Sequence, residues 1–171
     1  MRNLIVILLL AAFAAIVPNS ATAADGDRAA TDACRDLVLD YAWHWDHNNH
    51  EDFANLFTAD ADFQAAGRSH MGRDEIFAAQ SKRTGNVVTR MFFTNVRTRA
   101  TSDDTVDATS YLMVHSEAKP ASEGSAGQGT IPTRGFRIIG EMAFSCAATD
   151  DGWRIASVSL TPVFNDENLE D

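Results

Sequence analysis

Positive charge and cysteine are both scarce in this 171-residue chain. Lysine and arginine number 14 against 24 acidic residues, a formal net charge of -10 at pH 7. A surface of that sign excludes nucleic acid and anionic membrane as natural partners. Two cysteines, Cys34 and Cys146, leave room for at most one disulfide in an oxidising compartment, or for two buried thiols, and their places in the sequence do not say which. No internal repeat is present. The one long apolar run, Leu4 to Val17, is shorter than the about 20 residues a membrane-spanning helix wants.

That run is preceded by Arg2 and followed by Pro18 and by Ala21-Thr22-Ala23. A basic start, a short apolar core and an A-x-A site describe a secretory signal peptide over 1–23, with a retained anchor as the alternative. Cleavage after Ala23 removes one basic residue and leaves a 148-residue chain of net charge -11, enough for one domain with a sizeable core. No cysteine sits at the cleavage point to take a lipid. The expected product is secreted or periplasmic.

Residues 24–31 are small and polar and read as a flexible start. From Asp32 the apolar positions Leu37, Val38, Tyr41, Ala42 and Trp45 fall at helical spacing, with Thr31 or Asp32 as cap and Asn48-Asn49 as the stop. A second short helix carries Phe53, Leu56 and Phe57 inward and ends near Asp60. "ADFQAAGRSHMG" reads as two short strands about Gly67, and "GRDEIFAAQSKR" as a third helix with Ile76 and Phe77 inward. Four long strands follow in two pairs, joined by the turns "TSDD" and "DDG". The Gly/Ser/Pro-rich stretch "KPASEGSAGQGTIPTRG" between the pairs is a loop, either a flap over a site or an idle linker. Residues 165–171 form an acidic tail. Helices first and antiparallel strands afterwards is an α+β order, and strands of this length can curl about a helix and leave a concavity.

"YAWHWDHNNHEDF" places His44, His47 and His50 in one short segment. At about 100° per residue they drift around the helix away from the apolar stripe, so they read as solvated histidines and no metal is expected. Asp46 lies at the inner edge of the stripe. It is either a structural acid or a general base whose pKa is raised by desolvation.

The segment "DLVLDYAWHWDHNNHEDFANLFTADADF", together with "GRDEIFAAQ", "TRMFFTNVRTRA" and "DDGWRIASVSLTPVF", resembles a SnoaL-like domain of the nuclear-transport-factor-2-like superfamily over 32–164. That resemblance implies a cone: a strongly curved, mostly antiparallel sheet wrapped around the N-terminal helix, with a pocket inside. Relatives include steroid isomerases, polyketide cyclases, scytalone dehydratase and non-enzymatic binding domains, some of which pair through the sheet's outer face, so a homodimer is one expectation. Asp46 matches the helix aspartate that pairs with a histidine in dehydratase-like members, but Met91 stands where that histidine belongs, and a thioether is no base. His115 falls near a second catalytic histidine, Trp45 takes the place of one tyrosine, and Phe63 or Ala65 that of another. Alternation puts Met91, Phe93 and Asn95 on one face, the pocket side by the resemblance, and Tyr41 reaches it from the helix. Phe136, Ile138, Met142 and Phe144 share a face of a later strand.

The expected function is a cofactor-independent lyase or isomerase acting on a small apolar cyclic substrate. Asp46 and His115 are then catalytic, and Tyr41, Trp45, Phe63, Met91, Phe93 and Asn95 bind substrate. The alternative is an exported small-molecule-binding protein on the same fold.

Overall fold

The computed structural model describes residues 20–65, 67–119, 131 and 135–165. Residues 1–19 of the expected signal peptide (1–23), most of the Gly/Ser/Pro-rich loop and the tail from 166 lie outside the described residues. The elements run α1 (Ser20–His47), α2 (His50–Asn55), β1 (Phe57–Ala65), β2 (Arg68–Met71), α3 (Arg73–Gln80), β3 (Val87–Ser102), β4 (Thr105–Ala118), β5 (Ile138–Thr149) and β6 (Gly152–Asn165).

Helix α1 is longer than its apolar stripe. Residues 24–31 are helical, not a flexible start, because alanines favour helix and charges pair along it: Asp32 meets Arg28 at 3.9 Å and Arg35 at 2.9 Å. Thr31 caps nothing; its hydroxyl donates to the Asp27 and Arg28 carbonyls inside the helix. The stop lies where the asparagines put it. Asn48 turns left-handed (φ 55°), its N–H donates to the Trp45 carbonyl, and Asn49 N–H donates to that of His44.

The short second helix ends earlier than its apolar residues suggest. Phe57 already opens β1, and Ile155 of β6 donates its N–H to the Leu56 carbonyl, so a strand partner takes the group that another helical turn would have used. In α3, Ile76 is buried as expected but Phe77 is 43% exposed, since only one edge of this short helix meets α2 and β1.

Six strands form one curved, unclosed sheet in the order β2-β1-β6-β5-β4-β3, antiparallel except for the β1–β6 pair. α1 lies across its concave side against β3, β4 and β6. Val38 and Tyr41 meet Phe53, Phe57, Phe144 and Ile155 there in one buried cluster. Tyr41 is the hub, with ring centroids 4.9 Å from Phe53 and 5.6 Å from Phe144 in edge-on geometry. Cys34 and Cys146 are joined in a disulfide that ties α1 to β5 across 112 residues. Gly140 lets β6 cross β5 closely: a Cβ there would lie 2.7 Å from the Thr161 carbonyl oxygen, beside Leu160 and Pro162, where the pairing register shifts.

Candidate active site

Past Tyr41 the concave side opens. A cavity of about 690 Å³ lies between the last turn of α1, the segment after α3, and the inner faces of β3 to β6. Its apolar wall includes Phe63, Met91, Leu112, Val114, Met142 and Leu160, supplied by five different strands. Tyr41 and Trp45 close one side, and Asn48 and Arg83 border them.

Of the residues singled out in the sequence, Tyr41, Trp45, Phe63 and Met91 come together on this wall. The others do not. Phe93 packs into the core against Tyr41 and Phe144. Asn95 is exposed: it sits at φ 55° in a bulge of β3 between the Thr94 and Arg97 pairings, and the extra residue hands the inward place to Val96. His115 is on the other side of the sheet. It pairs with Arg90 while its neighbour Val114 pairs with Met91 and faces the cavity. There His115 lies in a shallow groove against Phe136, at 4.3 Å between ring centroids, and Phe92. Phe136 thus leaves the inner face that Ile138, Met142 and Phe144 share.

The three clustered histidines go separate ways: His44 and His47 end α1, and His50 opens α2. His47 donates to the Trp43 carbonyl at 2.7 Å and stacks on the Trp43 ring, while His44 accepts from the Asn49 amide. Among the described residues no three His, Cys, Asp or Glu side chains gather as a metal cluster.

Asp46 sits just behind the wall, between two residues that form it. Its Oδ2 accepts the backbone N–H of Met91 at 3.0 Å, and its buried Oδ1 has no partner among the described residues. The strand position that lacks an imidazole therefore still holds the carboxylate, through its main chain. Burial raises the Asp46 pKa above the ordinary carboxylate value, against the opposing pull of the Met91 N–H, Arg90, His47 and Arg83. Burial likewise pushes the Tyr41 phenol well above its ordinary value, so it stays a proton donor at neutral pH.

Arg83 was not singled out by the sequence. It follows the end of α3 and lies over the Trp45 ring, with its guanidinium carbon 4.4 Å from the ring centroid. Its Nη1 donates to the Trp45 carbonyl at 2.8 Å and to Gln80 Oε1 at 3.3 Å. Its pKa is lowered, first by burial and further by Arg68, with Asp46 opposing.

A curved sheet around one long helix with an internal cavity defines the nuclear-transport-factor-2-like class. The match to the SnoaL-like domain covers residues 27–159, and the chain belongs to that family, which includes isomerases, dehydratases and polyketide cyclases. Among solved structures, it is similar to a candidate scytalone dehydratase from Novosphingobium aromaticivorans (TM-score 0.70, 17% identity, 86% of this chain and 93% of that one). It is also similar to an NTF2-like protein with a cystatin-like fold from the same organism (0.62, 17%, 86% and 89%). A third is ActVI-ORFA from Streptomyces coelicolor (0.61, 17%, 77% and 96%). At these identities the likeness shows the fold alone. No curated protein matches the chain in sequence.

Proposed function

We propose that the protein is an exported, cofactor-independent lyase or isomerase in which Asp46 moves a proton on a small apolar cyclic substrate seated in the cavity. The observation that carries this reading is the state of the Asp46 carboxyl. One oxygen is held by the Met91 N–H, the other has no partner among the described residues, and burial raises the pKa above the ordinary carboxylate value, the direction a general base needs. An unpaired buried carboxylate oxygen costs stability, and a site that uses it is a physical reason to keep it.

In this reading Asp46 Oδ1 takes the proton from a carbon beside the substrate carbonyl. The electron pair moves onto the carbonyl oxygen, and the Tyr41 hydroxyl on the cavity wall donates to that enolate. Return of the proton to a second carbon completes an isomerisation. Transfer of the proton to a departing β-hydroxyl instead releases water and completes a dehydration. Neither path needs His115. The Cys34–Cys146 disulfide supports an oxidising destination, in keeping with export.

A second reading, a binding protein that performs no chemistry, is favoured by one observation: Asp46 is behind the residues that line the cavity, not among them. Deuterium exchange separates the two. Cyclic ketones bearing a β-hydroxyl or a β,γ-double bond are incubated with the protein in D₂O and followed by NMR. The enzyme reading expects exchange, water loss or double-bond migration above the buffer rate, reduced about 10²- to 10⁴-fold in Asp46→Asn. Turnover that Asp46→Asn leaves unchanged removes Asp46 as the base. Substrates that bind and return unaltered establish the binder.

A further inference from the structure

The cavity runs against the charge of the molecule around it. Acids outnumber bases 24 to 14 along the chain, yet among the described residues every charged one lining the cavity is basic: Arg68, Lys82, Arg83 and Arg137. Arg137 already engages a neighbouring group. Arg68, Lys82 and Arg83 make no ion pair among the described residues. Exposed cations scattered over a surface need no explanation, but these are gathered at a concavity whose opposite wall is apolar.

Arg83 is the best placed of the three. Stacking on Trp45 and the two hydrogen bonds from Nη1 fix its plane, while Nε and Nη2 donate to no described residue. A guanidinium held in this way presents a ready-made fork to a planar carboxylate and loses little rotamer freedom on binding one. Arg68 approaches from β2, and its side chain makes no hydrogen bond among the described residues. It is near enough to Arg83 to repel its charge, and both act on the Tyr41 hydroxyl. Two cations lining one concavity, with no acid among the described residues of its wall, are an arrangement that an incoming anion relieves. Asp46 offsets only part of this field, from behind the wall.

We propose that the natural ligand of this cavity is an apolar ring compound carrying a carboxylate, the anionic group held by Arg83 and Arg68 and the ring system lying against Leu112, Val114 and Met142. This proposal rests on the cavity being the small-molecule site, as the functional reading above assumes, and it narrows that reading from apolar cyclic compounds to acids among them. A volume of about 690 Å³ suits a molecule of two or three fused rings. The basic lining also makes the cavity selective: a neutral ring compound leaves the charges of Arg83 and Arg68 without compensation.

The test is a matched pair of probes, 2-naphthoate and 2-naphthamide, titrated calorimetrically into the full mature chain at low salt. The two share ring, size and shape and differ in charge. The naphthoate is expected to bind about tenfold or more tightly than the amide. That preference should shrink when 0.5 M NaCl is added, because an interaction at a partly open site is screened. Arg83→Gln should abolish most of the preference while leaving naphthamide affinity close to its original value. Arg68→Gln, at an exposed position on a short strand, should remove a smaller share and covers the case in which Arg83→Gln does not fold. Equal affinities for the two probes, or a preference that survives Arg68→Gln and Arg83→Gln together, overturns the proposal. Asp46→Asn keeps the two ideas apart: carboxylate preference in that variant with turnover lost supports both, and preference retained with turnover unchanged removes only Asp46 as the base.

Discussion

The two ends of α1 solve different problems on the same sheet. Around Cys34, Val38 and Tyr41 the helix is locked down: the side chains are buried, aromatic rings meet edge to face, and a disulfide crosses to β5. One turn past Tyr41 the same helix is half-buried against an open cavity, and two buried oxygens there, Asp46 Oδ1 and Asn48 Oδ1, have no partner among the described residues. Packing density is the rule in a protein interior and unpaired buried polar atoms are the exception. Thr58 Oγ1 and Ser110 Oγ are likewise unpaired away from the cavity, so what sets the open end apart is that its two oxygens, one of them a carboxylate's, lie beside a space that a ligand can enter.

The comparison breaks most severely at the closed end. Phe57→Ala should cost about 3 to 5 kcal/mol in a urea unfolding measurement, because a fully buried ring touching Tyr41, Phe53 and Phe63 leaves a void that its neighbours cannot fill. Cys34→Ser with Cys146→Ser should cost about 2 to 5 kcal/mol, through the freedom returned to a long loop of the unfolded chain. Gly140→Ala, between the two ends, should cost about 1 to 3 kcal/mol and loosen the cavity wall at Leu160 and Pro162.

At the open end the sign reverses. A carboxyl whose pKa is higher in the folded chain than in the unfolded one binds protons more tightly when folded. Its contribution to stability is fully present below the unfolded pKa and lost as pH rises through the folded pKa. Asp46→Asn keeps an acceptor for the Met91 N–H and removes the charge. It should therefore make the protein more stable than the wild type at neutral pH, by a margin that vanishes on acidification below the ordinary carboxylate range. Melting temperatures of the two proteins across pH 3 to 8 would read this, the smallest of the four effects. A variant less stable than wild type at pH 7 would mean that the Asp46 charge is compensated.

The closed end was legible in the sequence and the open end only partly so. Periodicity located α1, its stop at Asn48 and the two long hairpins, because one side of each element is buried throughout and period carries that information. The start of α1 was missed because alanines and charge pairs extend a helix without leaving an apolar stripe. The stripe turned Tyr41 and Trp45 inward and alternation put Met91 on one face of its strand, but it was the family resemblance that placed them at the pocket. Alternation then misplaced Asn95, since a bulge adds a residue and no local signal announces it. His115 needed the pairing register, which puts Val114 and not His115 on the cavity side. Arg83 and Arg68 lie beyond the end of α3 and on a four-residue strand, where basic residues have ordinary explanations such as a helix C-terminus. Only the assembled cavity shows that they face it together.

The central claim is that Asp46 is a desolvated proton acceptor beside a ligand cavity. Carboxyl-detected NMR titration of the mature protein tests it directly, with Asp46→Asn used to assign the signal. The account predicts a pKa clearly above the reference of about 3.9, changing again when 2-naphthoate fills the cavity. A pKa at or below that reference, unmoved by the ligand, would mean a solvated or ion-paired acid and would contradict it.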